Sequence, residues 1–174
     1  MKKIILTALV AASSLCASAQ VWMGGSLGFN VHTPDGGDSN TTFSIAPTVG
    51  YTLSDQWDIA IELGYANYGD VNVGAVEDAF YVQPFARYTF AKAGIASFFV
   101  DGGFSFGVVN YEGGGDNNEF QIGLRPGVKV ALSDKVDLAA TLGWFGYQNV
   151  SDSYSNFGLN VDNTSLSFGM YWKF

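Results

Sequence analysis

The chain has 174 residues, of which 48% are hydrophobic and 16% aromatic, and its sixteen acidic residues outnumber eight basic ones. This negative balance argues against nucleic acid as a partner, because phosphate binding needs a basic patch. No run of 18 apolar residues follows residue 19, so a protein of this sequence would cross a membrane as a closed β-barrel and not as a helix.

The first nineteen residues are predicted to be a secretory signal peptide. Met1–Lys3 is a short positive start, Ile4–Ala12 is apolar but shorter than the roughly 20 residues of a membrane anchor, and Ala17–Ala19 is a small-residue cleavage site. Cys16, the only cysteine, lies inside this segment and lacks the small residue expected before a lipoprotein cysteine. The mature part is therefore predicted to be a single domain of residues 20–174 with a formal charge of −10, without cysteine or lipid anchor.

The mature part alternates between apolar and polar residues with a period of two, which predicts an all-β fold. Glycine, aromatic and β-branched residues are abundant, and the latter two favour pleated structure. Eight strands are predicted, at Val21–His32, Thr41–Leu53, Trp57–Tyr68, Asp78–Phe90, Ile95–Val108, Asn118–Leu132, Val136–Gln148 and Thr164–Phe174.

The connections between these strands alternate in length. The short ones are Ser54–Gln56, Ala91–Gly94 and Ser133–Lys135, and the long polar ones are Thr33–Asn40, Gly69–Glu77, Val109–Asn117 and Asn149–Asn163. Short turns at one end and long loops at the other are typical of a transmembrane β-barrel. The sequence therefore predicts an eight-stranded antiparallel up-and-down barrel, with both termini at the short-turn end and four acidic loops outside the cell.

A weak hairpin repeat, with similar segments starting at Pro47, Pro84 and Pro126, supports this strand order. Proline inside a strand usually marks an edge or a bulge. We therefore expect a β-bulge at each of the three prolines, and the strand boundaries beside them stay open.

The two faces of the strands differ in chemistry. One face carries large apolar residues such as Ile45, Ile59 and Leu124, and the other carries small residues with a few isolated charges. A solvated face of this area would be rich in charges of both signs, whereas small residues suit the crowded interior of an eight-stranded barrel. The apolar face is therefore predicted to point outward, into lipid.

Charged residues on the inward face need partners, because an unpaired charge in a packed interior costs several kcal/mol. The predicted lumenal charge network consists of Glu62, Arg87, Asp101, Arg125 and Lys129. Its basic residues are expected to neutralise Glu62 and Asp101, with Asp58 and Asp137 taking part nearer the short-turn end. The network forms either an ion path or a packed plug, and the plug is favoured because barrels this narrow are filled by side chains.

Aromatic residues fall into two bands, like the interfacial girdles of membrane barrels. The short-turn band contains Tyr51, Trp57, Tyr88, Phe90, Trp172 and Phe174, and the loop-end band contains Tyr65, Phe80, Phe104, Phe106, Phe120 and Trp144. A soluble barrel has no reason to arrange aromatic residues in this way.

The last strand alternates over its whole length and stops on an aromatic residue. Its apolar positions are Leu166, Phe168, Met170, Trp172 and Phe174. This strand resembles the C-terminal assembly signal of Gram-negative outer-membrane proteins, and with the signal peptide and strand count the mature chain resembles the small OmpA/OmpX-type outer-membrane β-barrel family, also called porin-family proteins. The resemblance implies export by the secretion translocon, insertion by the barrel-assembly machinery and residence in the outer membrane of a Gram-negative bacterium.

Catalytic and metal chemistry have little support in the sequence. His32 is the only histidine, which excludes a histidine cluster for zinc, and no nucleophile is positioned beside it. The segments Asp35–Asn40 and Gly113–Glu119 offer oxygen ligands of the kind calcium prefers, but they match no calcium loop and fit ordinary turns. No catalytic residue, metal site or cofactor is predicted.

These observations favour a non-enzymatic integral outer-membrane protein that displays its loops for envelope integrity, surface interaction or adhesion. The expected partners are membrane lipids and lipopolysaccharide, with an extracellular partner that the sequence does not name. The alternatives are a narrow porin-like channel for small solutes, a lipid-modifying membrane enzyme built on His32, and a soluble periplasmic barrel or sandwich. Fold analogy carries most of this functional expectation.

Overall fold

The computed structural model describes residues 21–32, 40–69, 76–151, 154–160 and 166–174. Ten strands are present in these ranges: β1 Val21–His32, β2 Asn40–Thr52, β3 Trp57–Asn67, β4 Val76–Ala93, β5 Ala96–Tyr111, β6 Asp116–Ala131, β7 Val136–Leu142, β8 Trp144–Val150, β9 Tyr154–Asn160 and β10 Leu166–Lys173. Within the same ranges, no helix is long and apolar enough to cross a membrane.

The strands close into an antiparallel barrel. Each of β1 to β6 pairs with the next, β6 pairs with β7, β7 pairs with β10, and β10 returns to β1. β8 follows β7 along the same edge of β6, so β7 and β8 together form the seventh strand position of the wall. β9 pairs with β8 as β10 pairs with β7, so β9 and β10 together form the eighth position. The prediction of an eight-stranded antiparallel barrel is confirmed.

Two of the predicted long loops are shorter than the sequence indicated. β5 runs to Tyr111 and β6 starts at Asp116, which leaves only Glu112–Gly115 between them. The predicted loop Asn149–Asn163 contains β9. Their Gly, Asn and Ser content predicted loops, but pairing with a neighbouring strand outweighs the weak intrinsic strand propensity of such residues. The loop Thr33–Asn40 lies outside the described residues except at Asn40, as does most of Gly69–Glu77.

The seventh position of the wall contains a one-residue bulge at Gly143. The pairing of β6 with β7 and its pairing with β8 differ in register by one residue, and Gly143 has a φ of +66°, which glycine adopts without steric cost. The extra residue reverses the alternation of side chains, so Trp144 lies against Gly123 on the inward face, whereas Phe145 and Tyr147 face outward. The prediction that Trp144 belongs to the outer aromatic band is therefore wrong.

The expectation of a bulge at each proline is also wrong. At Pro47 and Pro84 the ladder to one neighbouring strand is interrupted, yet the register is the same on both sides of the gap. Proline lacks the N–H that would donate into the ladder, so one bond is lost without an inserted residue. Pro126 lies at the gap in the β6 ladder that faces Gly143, where the bulge belongs to the neighbouring strand. The two register shifts of the β4–β5 pair fall between Val76 and Asp78 and between Thr89 and Ala91, away from Pro84.

Burial separates the two faces as predicted. Along β3, Asp58 is 5% exposed, whereas its neighbour Ile59 is 47% exposed. The buried core lies inside the barrel and centres on Trp22, Phe85, Phe99, Ala139 and Tyr171. The outer surface is a continuous band of large apolar side chains, the inverse of a soluble protein, because such a band is stable only against another apolar phase.

Candidate functional site

The candidate site is the barrel lumen, where a row of alternating charges crosses four adjacent strands. Asp58 on β3 lies directly opposite Arg87 on β4, Arg87 lies opposite Asp101 on β5, and Asp101 lies opposite Arg125 on β6. Directly opposed residues share one face of a sheet, and here that face is the lumen. The two-residue period thus places each charge inward, and the strand register brings them side by side.

Arg87 is the most completely enclosed of these charges. Its Nε donates to Oδ1 of Asp101 at 2.7 Å and its Nη2 donates to Oδ2 at 2.9 Å, with side chains only 2% and 3% exposed. The guanidinium carbon lies 3.8 Å from the ring centroid of Phe99, and the rings of Trp22, Phe85 and Tyr171 lie within 5.8 Å. A bidentate pair with aromatic faces around it is the geometry that suits a desolvated arginine. We call Arg87, Asp101 and these four rings the arginine cage.

Arg125 is held more loosely. Its Nη1 lies 3.7 Å from Oε1 of Glu62, and the two side chains are 22% and 12% exposed. Glu62 also accepts hydrogen bonds from the hydroxyls of Tyr81 at 3.0 Å and Thr48 at 3.2 Å. Because neutral donors already satisfy part of the carboxylate, Glu62 depends less on its arginine than Asp101 does.

A third group of charges lies near the short-turn end. Asp137 accepts a hydrogen bond from Nζ of Lys173 at 2.9 Å and lies 3.8 Å from Nζ of Lys129. Asp58 accepts a hydrogen bond of 2.6 Å from the hydroxyl of Thr52. Lys129 was expected to neutralise Glu62 or Asp101, but the structure places it beside Asp137, because its position on β6 is four residues closer to the short turns than Arg125.

Two cavities lie on opposite sides of the arginine cage. The upper chamber, towards the loop end, has a volume of about 210 Å³, and its lining includes Ser26, Glu62, Arg125 and Ser167. The lower vestibule, towards the short turns, has a volume of about 280 Å³, and its lining includes Asp58, Lys129 and Asp137. Arg87 separates the two spaces, so the lumen is obstructed at mid-height.

Comparison with known proteins identifies this architecture. The model of the outer membrane protein beta-barrel domain matches residues 4–174. The chain belongs to that family. Its structure is similar to neisserial surface protein A (17% identity, TM-score 0.57) and to the N-terminal β-barrel domain of OprF from Pseudomonas aeruginosa (16% identity, TM-score 0.58), with 90% of this chain and 98% of each of those chains covered. No curated protein matches the chain in sequence.

Membership of the outer-membrane β-barrel family places the protein in the outer membrane and assigns the exposed apolar band to the lipid. Near the short-turn end, Trp57 and Tyr88 pack with ring centroids 4.8 Å apart. Near the loop end, Phe106 packs on Phe104 and Phe120. In β10 and at the residue that follows it, four of the five apolar positions of the predicted assembly signal are about half exposed, namely Phe168, Met170, Trp172 and Phe174. The fifth, Leu166, belongs to the same strand, and the role of all five in assembly remains a prediction.

The sequence analysis missed several residues of the lumen. Trp22, Phe99 and Tyr171 of the arginine cage were not selected, although each stands at an inward position of its strand. The sequence analysis also did not predict Lys173, which lies inside the apolar terminal motif and pairs with Asp137. The signal that could have found it is its inward position in the two-residue alternation. These side chains belong to β1, β5 and β10, which are distant in sequence and meet only in the closed barrel.

At the loop end, the polar residues bind one another. Glu119 accepts hydrogen bonds from the side-chain amides of Gln121 and Gln148, and the side-chain amide of Asn110 donates to Asp78 at 2.7 Å. In the described part of the chain, no three His, Cys, Asp or Glu side chains are placed to hold a metal ion. Asp35 and Asp38 lie outside the described residues, and His32 ends β1.

Proposed function

We propose that the protein is a non-enzymatic, non-conducting scaffold of the outer membrane whose acidic loops contact partners outside the cell. The observation that supports this most directly is the arginine cage, which obstructs the lumen at mid-height with a bidentate ion pair and four aromatic rings. A lumen filled in this way is suited to holding the wall rigid and poorly suited to passing solutes.

The charges of the two ends support a role for the loops. The segments 33–40, 69–77, 109–117 and 149–163 contain eight acidic residues and no lysine or arginine, namely Asp35, Asp38, Asp70, Glu77, Glu112, Asp116, Asp152 and Asp162. All six basic residues after residue 19 belong to the barrel wall, its lumen or the short turns. A barrel end that carries charges of one sign attracts partners that carry charges of the opposite sign. The proposed extracellular partner therefore presents a basic surface, while lipid and lipopolysaccharide surround the apolar band.

Conductance in planar bilayers tests the closed lumen. We expect no discrete conductance steps from the wild type and measurable steps from the double variant Arg87→Ala/Asp101→Ala, which removes the ion pair without leaving a buried unpaired charge. The matched control Lys92→Ala/Asp55→Ala changes the same charges at exposed positions near the short turns. Wild-type conductance equal to that of the double variant would mean that the lumen is open.

Binding of a fluorescent oligolysine peptide to intact cells tests the loops. We expect the variant Glu112→Gln/Asp116→Asn to bind less peptide than wild type, because two charges are lost at the loop end. The control Asp55→Asn/Asp134→Asn makes the same change in short turns, and its peptide binding should equal that of wild type. Equal binding by the two variants, or binding that does not weaken with salt, would contradict the proposal.

A narrow channel is the second candidate function. The observation in its favour is that the lumen holds two cavities, the upper chamber and the lower vestibule, which are separated by the packed layer around Arg87. Small-solute passage would require that layer to rearrange during transport. The same conductance measurement separates the two functions, because a channel shows steps with Arg87 in place.

A lipid-modifying enzyme is disfavoured by composition. The chain has one histidine, and a base of this kind needs a positioned nucleophile. The lipid A of cells that express His32→Ala should therefore be identical to that of cells that express the wild type, as measured by mass spectrometry.

A further inference from the structure

The wall of the barrel is incomplete between β1 and β10. The two strands pair from Trp22 to Gly25 on β1 and from Met170 to Lys173 on β10, and no further pair between them follows within the residues that the structure describes. Both strands nevertheless continue, β1 through residues 26–29 and β10 through residues 166–169. β1 stays paired with β2 and β10 with β7 over these residues. We call this unpaired stretch the seam.

Gly25 provides a local cause for the separation. Its φ is +145°, and a Cβ at this position would lie 2.3 Å from the carbonyl oxygen of Ala46 on β2. Only glycine fits such a bend against a neighbouring backbone. The β1–β10 pairing ends at this residue, so the bend marks the point where β1 leaves β10.

Exposure shows the same gap independently of the hydrogen bonds. Leu27 and Phe29, which point outward from β1 at the seam, are 75% and 72% exposed, whereas the outward residues Ile59 and Ile61 of β3 are 47% and 45% exposed. Side chains on a continuous sheet are covered by those of both neighbouring strands, and at the seam the described part of β10 is not paired with β1. Ser167 is also exposed, although it alternates with the buried residues Gly169 and Tyr171 on the inward face of β10.

The seam borders the upper chamber. Ser26 from β1 and Ser167 and Gly169 from β10 line the chamber on one side, and Glu62, Tyr81 and Arg125 line it on the other. The seam therefore lies between the lipid-facing surface and a polar space. On the outside it is flanked by Leu27, Phe29 and Phe168, all apolar.

We propose that the seam is a lateral port in which one phospholipid binds, with its phosphate in the upper chamber and its acyl chains against Leu27, Phe29 and Phe168. An amphiphile needs an apolar surface for its chains and a polar surface for its headgroup. The seam offers apolar side chains on the outside and hydroxyl groups on the inside. Unpaired backbone groups at membrane depth are costly unless they meet a polar group, and the headgroup supplies one.

Arg125 is the residue that fits a phosphate. Arg87 already makes a bidentate bond with Asp101, whereas Arg125 lies 3.7 Å from Glu62 and keeps 22% of its side chain exposed. A guanidinium binds phosphate oxygens through charge-assisted hydrogen bonds. At about 210 Å³, the chamber is smaller than the clefts of roughly 300 Å³ and above that hold drug-sized ligands. It thus suits a single phospholipid headgroup and excludes the phosphorylated disaccharide of lipid A.

Paired cysteines test the opening in lipid vesicles. After the signal peptide is removed, the chain should contain no cysteine of its own. The pair Leu27→Cys/Phe168→Cys would be opposed if the β1–β10 register continued, and Met23→Cys/Trp172→Cys is opposed in the structure. We expect mild oxidation to cross-link the second pair and not the first, because a disulfide needs Cα atoms within about 7 Å. Equally complete cross-linking of both pairs would overturn the proposal.

Native mass spectrometry with dioleoylphosphatidylglycerol tests the occupant. We expect one tightly retained lipid on the wild type and binding about tenfold weaker in Arg125→Gln, since a hydrogen bond to a charged group contributes on that scale. Lys129→Gln removes the same charge from the lower vestibule and should bind like wild type. Heat-dependent gel migration verifies that each variant is folded, so that lost binding is not lost structure.

Three outcomes would contradict the lipid port. Equal loss in Lys129→Gln and Arg125→Gln would indicate non-specific attraction. Tighter retention of lipid A than of the phospholipid would place the ligand outside the chamber. A lipid-free dimer would show that a second copy of this chain covers the seam.

Discussion

The wall of β4, β5 and β6 and the seam between β1 and β10 are built from the same kind of alternating sequence, yet they differ in continuity. β5 and β6 pair without a register shift from Ala96 to Asn110, whereas β1 and β10 pair only from Trp22 to Gly25. The row of opposed charges lies where the register is unbroken, from Asp78 to Thr89 on β4 and along β5 and β6, because directly opposed residues require one constant register. The seam carries serine and glycine and leaves a space.

This contrast assigns different roles to the two sides of the barrel. Arg87, Asp101 and Arg125 stand on the continuous wall. The Arg87–Asp101 pair joins β4 to β5, and the Arg125–Glu62 pair joins β6 to β3. The inward residues of β10 at the seam, Ser167 and Gly169, are too small to reach across the lumen. The structure thus combines a rigid side that resists unfolding with a looser side that is open to ligands.

Arg87→Ala should give the largest loss of stability. Removing the guanidinium leaves Asp101 buried without its partner and empties the arginine cage, and breaking a buried pair in this way costs about 3–5 kcal/mol. Urea unfolding in vesicles, followed by tryptophan fluorescence, measures the change. The double variant Arg87→Ala/Asp101→Ala should recover part of the loss, and a double variant as unstable as the single one would show that the aromatic packing, and not the ion pair, holds the wall.

Gly25→Ala tests the seam side of the comparison. A methyl group at a φ of +145° and 2.3 Å from a carbonyl oxygen forces β1 to move, at a cost of about 1–3 kcal/mol for a strained residue. The same urea titration measures it. The control is Gly28→Ala, a second glycine of β1 at which a Cβ would meet the movable side-chain hydroxyl of Ser44. If Gly25→Ala is no more destabilising than Gly28→Ala, the bend does not depend on glycine.

Gly143→Ala should have an intermediate effect. The bulge residue has a φ of +66°, and a non-glycine residue in the left-handed region costs about 1–2 kcal/mol. Gly143→Asn should be milder, because asparagine tolerates this conformation. Unfolding midpoints that are identical for the two variants would mean that the conformation at Gly143 is not the source of the loss.

Arg125→Ala should have the smallest effect on stability, about 1 kcal/mol or less, as expected for a partly exposed and long ion pair. Glu62 keeps its hydrogen bonds from Tyr81 and Thr48 in this variant. A loss as large as that of Arg87→Ala would mean that the two arginines contribute equally to the stability of the wall.

The sequence predicted a large part of this site. The two-residue period placed Glu62, Arg87, Asp101, Arg125 and Lys129 on one face, and the scarcity of other charges on that face indicated that the face is interior. It did not predict that Lys129 would lie beside Asp137, because pairing depends on the height of each residue on its strand. Nor did it predict that the side chain of Trp144 points inward. The bulge at Gly143 reverses the alternation of inward and outward side chains, and the amino-acid composition of the segment does not reveal a bulge.

The sequence by itself determined the fold class and the outward direction of the apolar face, because alternation along a strand is a local property and a lipid-facing surface differs chemically from a solvated one. Only the tertiary structure decided which charge contacts which, that four rings from four strands enclose Arg87, and that β1 leaves β10 at Gly25. These features depend on strand register and on the closing of the barrel, which join residues that are distant along the chain.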